Sequence, residues 1–94
     1  MPEDDEPIEI PIEDVLDLHP FRPNEIRDVA REYLEEARRR GFREVRLIHG
    51  RGMGVQRALI QKMLRELPFV AGFRDDAHLG ATVVLLDLRG ERIS

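Results

Sequence analysis

The junction between residues 45 and 54 constrains the fold more than any other stretch. An apolar run, Val45-Arg46-Leu47-Ile48, gives way to His49-Gly50-Arg51-Gly52-Met53-Gly54, and a helical pattern follows at once. The order reads as strand, glycine loop, helix start, which belongs to an α/β chain. Glycines on alternate positions let the backbone turn tightly with its N–H groups directed inward, and the start of a helix adds partial positive charge. Such a loop suits a phosphate or another anion. His49 and Arg51 place an imidazole and a guanidinium inside it. The same glycines also serve an ordinary βα turn, so the loop has to be weighed with what precedes it.

What precedes it is a second motif ending in histidine. Val15-Leu16-Asp17-Leu18-His19 reads as the first strand, short and apolar enough to be interior. Alternation puts Asp17 and His19 on one face and Leu16 and Leu18 on the other. A carboxylate inside an apolar strand is costly without partners, so Asp17 is expected to orient an imidazole or hold a water. Pro20 ends the strand, and Asn24 is placed to cap a helix. From residue 25 to 40, Ile26, Val29, Ala30, Tyr33, Leu34 and Ala37 follow the three-and-four spacing of one helical face, and Gly41 supplies a left-handed cap. The Arg38-Arg39-Arg40 run fits a solvated helix end that complements the dipole, or a contact to a nucleic-acid backbone.

The second strand, over 44–48, sets Val45, Leu47 and His49 on one face. Beyond the loop, Val55, Leu59, Ile60, Met63, Leu64 and Leu67 form a second helix that Pro68 stops, with Met53 and Met63 as packing residues. Two more strands are expected over 70–74 and 81–88, joined by a hairpin over 75–80 in which His78 is a polar loop residue. The last, rich in β-branched and aliphatic residues, should be central or covered on both faces.

The resulting order is βαβαββ, an α/β chain with two helices and a mixed four-stranded sheet. Right-handed crossovers make the first two strands parallel, with their C-terminal ends on one rim. Ligands of open α/β sheets bind outside the carboxyl ends of the strands, which here are His19 and His49. Imidazole gains and loses protons near neutral pH, so two histidines at a phosphate-binding rim suggest proton transfer. Phosphodiester cleavage is the reaction most easily assembled. One histidine would take a proton from water or a ribose 2′-hydroxyl and the other would protonate the leaving oxygen, while Arg51 and the loop amides stabilise the developing charge. Asp17, His19 and His49 are therefore the candidate catalytic residues. Gly50, Arg51, Gly52 and Gly54 are the candidates for binding phosphate or nucleic acid. Asp17 with one or two imidazoles makes an incomplete metal shell, so assistance by magnesium or manganese is compatible with the residues and metal dependence is not indicated.

Charge bears on the partner. The formal charge of −4 argues at first sight against a polyanion, but residues 1–14 hold seven acidic residues and no basic one, which leaves +3 on residues 15–94. Nearly all of that positive charge is arginine, the better fork for phosphate oxygens, and Lys62 is the only lysine. The chain accordingly divides into an acidic arm over 1–14 that cannot bury enough surface to order itself, a folded body over 15–88 and a polar tail over 89–94. Ninety-four residues suffice for one small domain. Cysteine is absent, no apolar stretch reaches membrane-spanning length and the N-terminus is acidic, so the expected location is cytoplasmic, with no membrane partner.

The two motifs together resemble those of the Smr (small MutS-related) domain. Leu16-Asp17-Leu18-His19 looks like that family's LDLH motif, His49-Gly50-Arg51-Gly52 like its HGxG or TGxG loop, and Gly80-Ala81-Thr82 like the opening of its last strand. The resemblance covers roughly residues 15–88. It implies a two-layer α/β sandwich similar to the C-terminal domain of bacterial translation initiation factor three, and endonuclease or nicking activity on DNA or RNA, with some members acting at ribosomes. Asp17 and His19 would be its catalytic or orienting pair, and His49, Gly50, Arg51 and Gly52 its nucleic-acid loop. Pro20 stands where the family usually has glycine, which removes one N–H donor beside His19. The competing expectations are a non-catalytic module that binds nucleic acid or a ribosomal surface through the same rim, and a binder of small phosphate compounds.

Overall fold

The computed structural model describes residues 12–50, 54–76 and 80–88. The expected arm up to residue 11, the tail from residue 89, Arg51 to Met53 and the hairpin tip with His78 lie outside the described residues. The elements run β1 (Val15–Asp17), α1 (Pro23–Arg39), β2 (Glu44–Ile48), α2 (Gly54–Glu66), β3 (Val70–Asp76) and β4 (Ala81–Leu86). The βαβαββ order is as expected. The strands form one mixed sheet in the order β1-β2-β4-β3, with β1 parallel to β2 and β4 antiparallel to both its neighbours.

Both helices lie on one face of this sheet. Ile26, Ala30, Leu34 and Ala37 of α1 and Ile60, Met63 and Leu64 of α2 join Val45, Leu47, Val84 and Leu86 in a single buried cluster. Register explains the assembly: Val45 stands opposite Val84 and Leu47 opposite Thr82, so side chains of one parity meet the helices. The other parity forms the second face, where Arg46 lies 3.8 Å from Asp76 and Arg74 4.0 Å from Glu44. The result is a two-layer α/β sandwich. Strand β4 is interior, as its composition indicated, with five of its six residues buried. Among the described residues no helix is long and apolar enough to cross a membrane.

Four expectations change, the smallest being that β4 ends at Leu86 and not at residue 88. Strand β1 is an edge strand, not an interior one, and it stops at Asp17 because Leu18 to Phe21 form a turn in which the Phe21 N–H donates to the Leu18 carbonyl at 3.1 Å. Helix α1 begins at Pro23, ahead of Asn24, because proline is preorganised for the first helical position. Arg22 is the cap residue, and the Glu25 carboxylate accepts its N–H at 3.2 Å. Strand β3 runs on to Asp76, with a register irregularity between Val70 and Gly72. The other end of α1 is as read. Gly41 has φ 89°, and the N–H groups of Gly41 and Phe42 return to the carbonyls of Arg38 and Ala37, both at 3.0 Å.

The approach to β1 is pinned to α1. The Tyr33 hydroxyl donates to the Glu13 carbonyl, and the Arg46 N–H donates to the Asp14 carbonyl at 2.9 Å. Burial, and then the charges of Asp14 and Glu13, push the Tyr33 phenol well above its ordinary value of 10.0. The unfolded chain would release this proton at the ordinary value while the folded chain retains it. The contribution is therefore complete below pH 10.0 and is lost as pH rises above it towards the folded value. Urea midpoints at about pH 8 and about pH 11 should show the wild type losing more stability than Tyr33→Phe over that interval.

Candidate functional site

The strands β1, β2 and β3 end, and β4 begins, on one rim, and the register places Asp17, Ile48, Ala81 and Asp76 in a single row across it. Helix α2 starts at the same rim. Its first turn carries no acidic residue, whereas α1 has Glu25 in its first turn. The positive end of the α2 dipole is thus left uncompensated by its own sequence.

The carboxyl end of β1 is shaped by its own aspartate. The Leu18 N–H donates to the Ile48 carbonyl at 2.8 Å and holds the strand end against β2. Asp17 Oδ1 then accepts the His19 N–H at 2.9 Å, an Asx-type turn in place of the extended backbone expected there. Asp17 and His19 are both exposed. They are brought together through a carboxylate-to-amide bond and not as two side chains one pleat apart. Because β1 is an edge strand, Asp17 meets solvent and avoids the burial cost expected of it. Among the described residues no group of three or more His, Cys, Asp or Glu is placed to hold a metal ion.

His49 is placed differently. Only 2% exposed, it continues the inward face of Val45 and Leu47. Its Nδ1 lies 3.3 Å from the Gly50 carbonyl and its Nε2 3.0 Å from Thr82 Oγ1. Gln61 on α2 donates to the same Thr82 oxygen at 3.3 Å. The partners assign the protons. A carbonyl only accepts, so Nδ1 carries the hydrogen, while Thr82, already accepting from Gln61, donates to Nε2. Both ring nitrogens are occupied inside the fold. The sequence reading had His49 facing the rim as an acid–base partner of His19; the structure turns it into the core, where it joins β2, β4 and α2.

The chain leaving β2 is tied to the residue that precedes β4. The N–H groups of His49 and Gly50 both donate to the Gly80 carbonyl at 2.9 Å. Gly50 has φ 100° and Gly80 φ 64°, in the left-handed region where a side chain would be strained. Gly54 is the first residue of α2, and Arg51 and Gly52 lie outside the described residues. Thr82, Gln61 and Arg57 belong to the rim and were absent from the candidates. Thr82 carried a signal, a polar residue in register with the inward-facing Val84 and Leu86. Arg57 lies in the first turn of α2, where its Nη1 donates to Asp75 Oδ2 at 2.8 Å.

Comparison with known proteins agrees with this architecture. The Smr domain family model matches residues 16–90. The chain is 41% identical over 59 residues to the endonuclease MutS2 of Caldicellulosiruptor saccharolyticus, covering 58% of this chain and 8% of that protein. To the endonuclease MutS2 of Gemmatimonas aurantiaca it is 35% identical over 75 residues, covering 76% of this chain and 9% of that protein. It therefore spans less than a tenth of the length of these relatives. The crystal structure of the Smr domain of Thermus thermophilus MutS2 superposes with a TM-score of 0.69 at 34% identity, covering 77% of this chain and 95% of that one.

Proposed function

The chain belongs to the Smr domain family, and from that premise we propose that it is a nucleic-acid endonuclease whose rim binds a phosphodiester between the Gly50 loop and the exposed Asp17–His19 turn. The observation that carries this reading is the placement of an imidazole with open solvent access on the same rim as a glycine loop and a helix start free of acidic residues. The relatives are named endonucleases, which supports it.

In the proposed reaction His19 accepts the proton of the nucleophile, a water or a ribose 2′-hydroxyl, as the new P–O bond forms. The bond to the leaving oxygen then breaks, and that oxygen takes its proton from solvent. Asp17, by accepting the His19 N–H, sets where the imidazole stands. The amides at the start of α2, from Gly54 on, and the Arg51 guanidinium stabilise the charge on the non-bridging oxygens. Asp17 is the carboxylate that would hold magnesium or manganese, which would supply further charge stabilisation; the described residues complete no metal site around it, and no step of the proposed reaction is routed through a metal.

The burial of His49 leaves a single histidine on the rim among the described residues. That favours, as the second reading, a module that binds nucleic acid or a ribosomal surface without cutting. Incubating the protein with end-labelled RNA and with supercoiled DNA, each with magnesium and with chelator, separates the two. Cleavage of either polymer is the expected result, and its response to chelator reports metal use. Binding without cleavage under all four conditions gives the second reading precedence.

A further inference from the structure

Resting on the reading of the rim as a nucleic-acid site, we propose that Arg57 is a second phosphate-binding position at the β3 end of that rim, and that Asp75 is the internal counterion it exchanges for the phosphate. Arg57 follows Gly54 by three residues, in the first turn of α2, and its Nη1 lies 2.8 Å from Asp75 Oδ2. Asp75 stands opposite Thr82 in the register, on the helix-facing parity and at the rim end of β3. The guanidinium is therefore held one strand beyond the His49–Thr82–Gln61 chain, on the side away from β1.

Other arginines of the body have different engagements. Arg46 meets Asp76 on the opposite face of the sheet, Arg39 and Arg40 both bind Glu36 at the far end of α1, and Arg38 and Arg65 lie over the rings of Phe69 and Phe73. Arg57 differs from these five in lying in the helix turn that follows the loop. Its pair is also open to exchange, with side chains 46% and 38% exposed, and exposed pairs of this kind are weakly held in water. A backbone phosphate offers the same two-oxygen geometry as Asp75 and adds the release of condensed counterions. From β1 to β3 the rim spans three strand spacings, roughly 14 Å, too far for one phosphate to touch both ends. The substrate this describes is a polynucleotide strand laid across the rim, with one phosphate beside the Asp17–His19 turn at the end of β1 and another at Arg57 beside β3. A mononucleotide would occupy only part of it.

The test is fluorescence anisotropy with a labelled single-stranded RNA and a labelled DNA of about 20 nucleotides, titrated at several salt concentrations. Arg57→Gln is expected to weaken binding about 5- to 30-fold and to reduce the salt dependence by about one counterion. Asp75→Asn breaks the same ion pair, yet is expected to tighten binding about two- to fivefold, and to give no gain once Arg57→Gln is present. Opposite signs for the two variants mark a phosphate contact. If the pair is only a structural strut, both variants weaken binding alike, and that result, or unchanged affinity in Arg57→Gln, overturns the proposal. A wild type that binds neither polymer refutes the nucleic-acid reading itself, before Arg57 is at issue.

Discussion

Alanine at His19 is expected to slow phosphodiester cleavage by about 10²- to 10⁴-fold while shifting nucleic-acid affinity by less than about threefold. The ring is exposed, and among the described residues it makes no hydrogen bond or ion pair; what is held is its backbone N–H, at Asp17. Its removal therefore opens no cavity and leaves no buried partner, and stability should stay within about 0.5 kcal/mol of wild type. Proton transfer by a positioned side chain is worth two to four orders of magnitude, and that contribution is what the variant loses. On the proposed reading affinity rests instead on the loop amides and arginines, which the substitution leaves alone. Asp17→Asn refines the result. The amide oxygen still accepts the His19 N–H, so the turn persists and only the carboxylate charge disappears. A rate close to that of His19→Ala would make the charge essential, whereas a near wild-type rate would limit Asp17 to positioning. Wild-type cleavage by His19→Ala would remove catalysis from this end of the rim altogether.

The corresponding change at His49 should act on stability first. His49→Ala empties a space in a core that is close-packed around it, and it leaves the Thr82 hydroxyl hydrogen without its acceptor and the Gly50 carbonyl without its donor, although Gln61 still donates to Thr82 Oγ1. The combined expectation is a loss of about 3 kcal/mol, a large share of the roughly 5–15 kcal/mol that holds a domain of this size. Thr82→Val, which keeps the shape and deletes the hydroxyl, should cost about 1–2 kcal/mol. The double variant should fall short of the sum by about 1 kcal/mol, because the two residues share one bond. Urea denaturation measures all three. Full stability in His49→Ala together with lost cleavage would return His49 to the role of proton carrier and displace the structural role argued from its geometry.

Much of this fold could be read from the chain because its signals are local. The spacing of Ile26, Ala30, Leu34 and Ala37, closed by Gly41, defines α1 at both levels, face and end. The β-branched run over 81–86 placed β4 inside the sheet. At the site the sequence was legible to the level of the motif and no further. Val45 and Leu47 already named the inward parity of β2, and His49 lies on it. Its polarity suggested the rim, but alternation is a steric property of the strand and overrides the chemistry of the ring. For Asp17, sequence alternation assumed a strand extending to His19, yet an aspartate at a strand end can bind the amide two residues on, and that local bond ended the strand. Neither the edge position of β1 nor the contact between Arg57 and Asp75, eighteen residues apart, has a local signature. Both follow from strand order, which a single sequence encodes only through the whole of its packing.

The strand order also governs how this protein behaves in a crowded solution. An open sheet has two edges that can recruit a strand from another copy and begin aggregation. Here one edge is β1, three residues long, preceded by Glu13 and Asp14 and ending in Asp17. The other is β3, interrupted between Val70 and Gly72 and ending in Arg74, Asp75 and Asp76. An incoming strand would find too few continuous amides on the first edge and a broken ladder on the second, with like charges facing any second copy in register. The same carboxylates that shape the rim thus keep the sheet from growing.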